Sequence, residues 1–367
     1  MRVDLFCRVI DNLGDAAVCW RLARQLAQEH GCSVRLWIDQ PEVLARLVPG
    51  VRASRAVQGV RIEAWQAQAP VLARPRSSDV AEVVIAAFGS DLPPAYRSAM
   101  RATRSVWINL EYFSAEPWTL GSHGLPSPKS DGLTEHFFFP GPGPATGGLL
   151  RERRLQSERE AFQNDPWARS EFLARFGISP APGQRIVSVF TYPDAAWPAL
   201  IQALQAQPAN WLVLVPEGVL EALGPAASAP GVTVCRIPFL SQDDYDRLLW
   251  SCDLNLVRGE DSLIRALWAG RPMLWQAYPQ AQGAHLPKVQ AWLDHLLAHG
   301  GSQAIARAWL AWNDRSGAPS EADVGEALGA ALACWRDWQG LSAAMMQREA
   351  ALPSLAPRLL EFVTSRL

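Results

Sequence analysis

The chain reads as an α/β protein built from two doubly wound parallel sheets, and three observations predict it. Short apolar runs such as EVVIAAF and WLVLV are continuous rather than alternating, the pattern of parallel strands buried on both faces. Stretches with apolar positions three and four apart, the period of an amphipathic helix, separate them. The rhythm halts in a Pro/Gly-rich middle and then restarts, in a chain whose 367 residues are long for one core and natural for two domains.

Taken in order, VDLFCRVI (3–10) is the first strand. The helix AAVCWRLARQLAQEHG (16–31) follows, and its terminal Gly31 suits a C-cap. SVRLWI (33–38), EVVIAAF (82–88) and RSVWINL (104–110) are further strands. EPWTLGSHGLPSPKS (116–130) and FFFPGPGPATGG (137–148) break the pattern, the second as an aromatic strand ending in a turn. Charged helical stretches and the turn-rich GISPAPGQ (177–184) carry the chain into its second half. There RIVSVF, WLVLV, GVTVCRI and DLNLV are strands with helices between them. The expected domains are 1–155 and 156–352, with a last helix within 353–367 packing back on the first. Two such sheets imply a cleft, with ligands at the carboxyl ends of the strands.

Composition excludes several classes. Lysine plus arginine number 34 and aspartate plus glutamate 36, interspersed, for a net charge of −2. That leaves no electrostatic footprint for nucleic acid. The six cysteines form no CxxC and read as buried free thiols in a reducing compartment. No apolar run approaches the ~20 residues of a membrane span. MRVDLFCRVI has too short an apolar core for a signal peptide, so a cytoplasmic location is expected. Sixteen tryptophans offer stacking surfaces for a sugar or base, but core packing is the general use of such residues. No GxGxxG follows a strand, and neither GxxxxGK[ST] nor GxSxG occurs, which argues against NAD-dependent, P-loop and elbow-type hydrolase chemistry.

Two turns carry candidate chemistry. In VIDNLGDAAV the carboxylates Asp11 and Asp15 surround Asn12 and Gly14 at the first strand-to-helix turn. Asp15 is either an N-cap for a helix starting at Ala16 or a working acid. In CDLNLVRGEDSLIRALWAGRPMLWQ a strand ends at Arg258-Gly259-Glu260-Asp261-Ser262 and a helix begins, with Leu263, Ile264, Leu267 and Trp268 as its buried stripe and Gly270 at its end. A helix N-terminus there suits a diphosphate. Gly259 permits close backbone approach, Arg258 neutralises phosphate, and Glu260 or Asp261 can hold sugar hydroxyls. An ordinary turn with Ser262 as N-cap is the alternative. Upstream, Ser241 sits at an N-cap position with Asp244 three residues on, and Gln242 opens that helix. The DYD of Asp244 to Asp246 mimics a DxD metal motif, but residues two apart on a helix point away from each other. His295 and His299 have ligand spacing without a third ligand. No metal site is expected.

DNLGDAAVCWRLARQLA, PFLSQDDYDRLLW and VRGEDSLIRALWAGRPMLWQAYPQ, with FFFPG between them, together resemble the bacterial protein-arginine rhamnosyltransferases that mature elongation factor P (the EarP family). The resemblance covers nearly the whole chain. It implies a GT-B architecture and an inverting, metal-independent transfer of rhamnose. The donor is TDP-β-L-rhamnose, bound mainly by the second domain. The acceptor is an arginine side-chain nitrogen of elongation factor P, received by the first. It further implies Asp15 as general base, Glu260 as second catalytic acid and Asp11 as another required acid. Asn12, Leu13, Gly14 and Asp15 become a donor-site wall. Tyr192 and Gln242 become nucleoside-side contacts, Phe190 and Phe239 thymine-stacking residues, and Arg258, Gly259, Glu260, Asp261 and Ser262 the donor loop. Paired acids suit this acceptor, because a guanidinium stays protonated and must be oriented by forked hydrogen bonds while a base takes its proton. A GT-B enzyme acting on a small-molecule acceptor would use the same donor turn without needing an arginine-bearing protein, and a non-catalytic nucleotide-sugar-binding protein could keep the donor side but would have no use for the Asp11/Asp15 pair.

Overall fold

Fourteen strands form two sheets in a computed structural model, which describes residues 1–10, 12–51, 54–65, 70–219, 228–298, 300–314 and 319–367. The chain divides into one unit of Met1–Arg153 with Ala350–Leu367 and a second of Arg154–Glu349.

In the first unit the strands are β1 (Arg2–Cys7), β2 (Ser33–Ile38), β3 (Ala56–Val57), β4 (Val60–Ala64), β5 (Val83–Ala87), β6 (Val106–Leu110), β7 (Pro126–Pro128) and β8 (Thr134–Phe138). They lie in the order β3-β4-β2-β1-β5-β6-β8-β7. All pairs are parallel except the short edges, β3 on β4 and β7 on β8. β5 and β6 are buried along their whole length, which is why their sequences show no alternation. The two-residue β3 and the proline-bearing β7 escape that signal, as edge strands usually do. Asp4, fully buried in β1, is answered by the fork of Arg35 at 2.6 Å on both oxygens and by the Tyr96 hydroxyl.

The chain's end belongs to this unit. The Leu355 N–H donates to Leu149 O at 2.9 Å, and the Arg358 guanidinium gathers the carbonyls of Gly143, Pro144 and Thr146. Phe362 lies edge-on to Phe138. Leu355, Ala356, Leu359 and Val363 bury the apolar face of the helix Leu355–Thr364.

The second unit orders its strands β11-β12-β10-β9-β13-β14, where β9 is Arg185–Val189, β10 Trp211–Pro216, β11 Ser228–Ala229, β12 Val232–Ile237, β13 Leu254–Arg258 and β14 Met273–Gln276. Among the described residues of this unit only β11 pairs antiparallel. Many of the tryptophans serve the cores: Trp20, Trp37, Trp211, Trp268, Trp275, Trp292, Trp309, Trp312 and Trp338 are fully buried, whereas Trp118 and Trp167 are exposed. The cysteines are free, but only Cys7, Cys19, Cys32 and Cys252 are buried, while Cys235 and Cys334 are half-exposed. Among the described residues no helix is long and apolar enough to cross a membrane.

Each sheet has one place where its strand order reverses. In the first, β1 leads to β2 on one side while β5 lies on the other. In the second, β9 leads to β10 on one side while β13 lies on the other. Crevices at such switch points, outside the carboxyl ends of the strands, are where open α/β sheets bind ligands.

Candidate functional site

At the first switch point three consecutive backbone N–H groups leave β1, and each is held by a side chain from a different element. Arg8 N–H donates to Ser90 Oγ at 3.3 Å, Val9 N–H to Asp39 Oδ1 at 2.9 Å and Ile10 N–H to Asp15 Oδ2 at 2.8 Å. Groups that would cradle a phosphate elsewhere are engaged here by carboxylates and a hydroxyl.

Asp15 is not an N-cap. The helix begins at Asn12 and runs to His30, so Asp15 lies in its first turn and reaches back to an N–H five residues earlier. It is only 2% exposed. The Tyr112 hydroxyl donates to its Oδ1 at 3.2 Å, and the Tyr112 ring stacks on Phe88 with centroids 4.4 Å apart and planes 15° apart. Phe88 follows β5 in a left-handed conformation, φ 58°, which bulky residues rarely adopt. Leu13 and Gly14 are half-buried beside Asp15. Asp11 and the side chain of Asn12 lie outside the described residues. Next to Tyr112, burial pushes the Glu111 carboxyl up, and the Glu135 charge adds to this against a 2.8 Å hydrogen bond from Asn109.

At the second switch point β13 ends at Arg258, and Gly259 turns the chain with φ 66° and ψ 177°, a region essentially reserved for glycine. The helix Glu260–Ala269 starts there without a side-chain cap, so Ser262 is its third residue rather than its N-cap. Its first three N–H groups have no acceptor inside the helix. Residues 262–269 are all buried, so the helix is enclosed on every side rather than along the single stripe its sequence suggested. Gly270, φ 65°, ends it in the left-handed conformation.

The Arg258 guanidinium lies 4.4 Å over Phe190 and 4.9 Å over Tyr192, and donates to Thr191 O at 2.9 Å. Gln276 accepts from Tyr192 N–H at 2.8 Å and donates to Asp194, while Trp275 Nε1–H holds Gly259 O at 2.9 Å. Glu260 is paired with Lys288. Tyr245 meets Phe190 edge-on, and burial pushes its phenol up while the neighbouring Ser262 hydroxyl works against the shift.

The remaining expected residues sit at the end of β12, two strands from β9. Phe239 is half-buried in the connection, and Gln242 is the buried first residue of the helix Gln242–Ser251. Ser241 caps that helix, accepting from Asp244 N–H at 3.2 Å. The two DYD acids take different partners. Asp244 pairs with Arg175 and Arg247, while Asp246 holds the Arg265 fork at 2.9 and 2.6 Å with both side chains at least nine-tenths buried. His295 bonds Glu349 at 2.9 Å, and His299 lies outside the described residues. Among the described residues no group of three His, Cys, Asp or Glu is arranged to hold a metal ion.

The structure thus gathers Phe190, Tyr192, Arg258, Gly259 and Ser262 in one unit and leaves Asp15 in the other. Sequence reasoning missed Asp39, Phe88, Ser90 and Tyr112 in the first unit and Lys288, Asp194 and Gln276 in the second. Phe88 and Ser90 follow β5 and Tyr112 follows β6, so inspecting every strand's carboxyl end would have flagged them.

A family model described as elongation factor P rhamnosyltransferase EarP matches residues 3–364. A protein-arginine rhamnosyltransferase of Pseudomonas aeruginosa is 43% identical over 387 residues, covering 98% of each chain. Among solved structures, one on EarP-mediated arginine glycosylation of translation elongation factor EF-P aligns with a TM-score of 0.67 and 32% identity, over 100% of this chain and 99% of that one. The Anabaena protein HepE, in complex with UDP and glucose, aligns with a TM-score of 0.57 at 10% identity over 100% of both chains. These likenesses place the architecture among the GT-B glycosyltransferases.

Proposed function

This chain belongs to the EarP family of elongation factor P rhamnosyltransferases, and we propose that it moves one L-rhamnose from TDP-β-L-rhamnose, with inversion, to an arginine nitrogen of elongation factor P in the cytoplasm. The observation that carries the reading is Asp15. It is a carboxylate at the first switch point, held by Ile10 N–H and Tyr112 and set beside a strand end whose own N–H groups are already engaged. Such a turn offers negative charge to a cation.

In this reading Asp11 and Asp15 orient the planar guanidinium by charge-assisted hydrogen bonds. One guanidinium nitrogen attacks the anomeric carbon of rhamnose. The C–N bond forms, the bond from that carbon to the diphosphate oxygen breaks, and Asp15 takes the nitrogen's proton as general base. Arginine need not be deprotonated beforehand, because attachment to carbon lowers the nitrogen's proton affinity as attack proceeds. Asn12, Leu13 and Gly14 line the sugar side.

The second unit holds the donor. The uncapped end of the helix Glu260–Ala269, with Arg258 beside it, receives the diphosphate and stabilises it as it leaves. Glu260 and Asp261 hold sugar hydroxyls, and Lys288 fixes Glu260 while adding positive charge nearby. Tyr192 and Gln242 take the nucleoside, with Phe190 and Phe239 against the base. The arginine over Phe190 and Tyr192 makes these rings a support for the phosphate ligand as well.

Incubation with TDP-β-L-rhamnose and elongation factor P, read by intact mass, tests the proposal. A gain of one deoxyhexose, mapped to an arginine, is expected. Donor hydrolysis without transfer would point to a small-molecule acceptor, and binding without turnover to a non-catalytic protein; either result sinks the reading.

A further inference from the structure

We propose that Tyr112, braced by Phe88, is a positioning residue that sets the plane of the Asp15 carboxylate for proton transfer; this rests on Asp15 being the base. One oxygen of Asp15 is tied to Ile10 N–H at 2.8 Å. The terminal torsion of an aspartate is broad and roughly two-fold, and each directional contact narrows it. The Tyr112 hydroxyl makes such a contact at 3.2 Å from the other oxygen. Two directional contacts on opposite oxygens define a plane, and the plane decides which lone pair meets the substrate proton.

A tyrosine can do this only if it is itself held. The Tyr112 ring lies nearly parallel to Phe88, 4.4 Å between centroids. Phe88 is buried and keeps a left-handed backbone, φ 58°, followed by Gly89 at φ 65°. A bulky residue stays in that conformation only where its surroundings over-determine it, and such strain concentrates at functional sites. The surroundings here are hydrogen-bonded strand ends. Phe88 N–H donates to Leu110 O at 2.7 Å, Glu111 N–H to Phe138 O at 2.9 Å and Ser90 N–H to Ala87 O at 3.1 Å. The strained turn after β5 therefore presents one flat ring to the turn after β6, which presents one hydroxyl to Asp15.

Steady-state kinetics and thermal unfolding test this together. Tyr112→Phe keeps the stack and loses the hydroxyl. It should lower kcat about tenfold, the worth of a hydrogen bond to a charged group, while the donor KM stays at its wild-type value and the Tm falls by no more than the loss of one such bond. Phe88→Leu keeps apolar bulk but loses the flat face, and it should lower kcat by a smaller factor. Combined with Tyr112→Phe it should add nothing further, because the ring acts through the hydroxyl. Wild-type kcat in Tyr112→Phe overturns the proposal. So does a lowered Tm with kcat intact, or independent losses in the double variant. Turnover that survives in Asp15→Asn is a separate result, which removes the base reading itself whatever Tyr112 does.

Discussion

The turn after β1 and the turn after β13 both lie at the switch point of their sheet, although β13 takes the place that β5 holds in the first sheet, and they treat their backbone in opposite ways. After β1, three N–H groups in succession are held by Ser90, Asp39 and Asp15, and the carboxylate of Asp15 is buried in the process. After β13, Gly259 takes a conformation open to glycine alone, and the helix starts without a side-chain cap. The Arg258 guanidinium lies over two aromatic rings close by. The first turn spends three strand-exit N–H groups on side chains, two of them carboxylates. The second has no side-chain cap and carries Arg258 and the Glu260–Lys288 pair beside it. The two turns thus differ in what their side chains hold: strand-exit N–H groups at residues 8–10 after β1, and no helix N–H at the cap position after β13.

Asp15→Asn is the strongest way to break this comparison. It keeps shape and removes the charge. Turnover should fall roughly 10²–10⁴-fold, the range for a general base, with TDP binding by calorimetry unchanged because the donor turn lies in the other unit. The next effect is on stability. Asp246→Ala takes the forked carboxylate partner from the buried Arg265 of the helix Glu260–Ala269 and should cost about 3–5 kcal/mol in urea unfolding. Replacing both partners by apolar residues should recover most of that loss.

Gly259→Ala tests the backbone alone. An added Cβ would meet only the Tyr192 hydroxyl at 3.9 Å, so the cost is conformational, about 1–3 kcal/mol. It should be accompanied by weaker TDP binding. The smallest effect belongs to Ser90→Ala, which leaves the Arg8 N–H without its acceptor. About 1 kcal/mol of stability and a modest fall in kcat are expected, with donor affinity untouched.

Much of this was legible in the order of residues. Continuous apolar runs marked β5, β6, β9, β10 and β13, because strands buried on both faces cannot alternate. Gly270 marked a helix end because few other residues accept a left-handed φ. The Arg258-to-Ser262 turn was visible because its parts are contiguous. The N-cap alternatives placed the helix starts a few residues late at both turns, at Ala16 instead of Asn12 and after Ser262 instead of at Glu260. In each case a polar side chain resembled an N-cap, and only the hydrogen-bond geometry distinguishes a capping residue from one inside the first turn.

What the sequence by itself determined was the strand period, the helical stripes and the local chemistry of each turn, since all of these follow from neighbours along the chain. Which acceptor answers which N–H after β1, that Tyr112 reaches Asp15 across 97 positions, and that Lys288 pairs with Glu260 were decided by tertiary structure alone. Those partners meet because strands far apart in sequence lie side by side in a sheet, and no local pattern encodes a meeting that the sheet order creates.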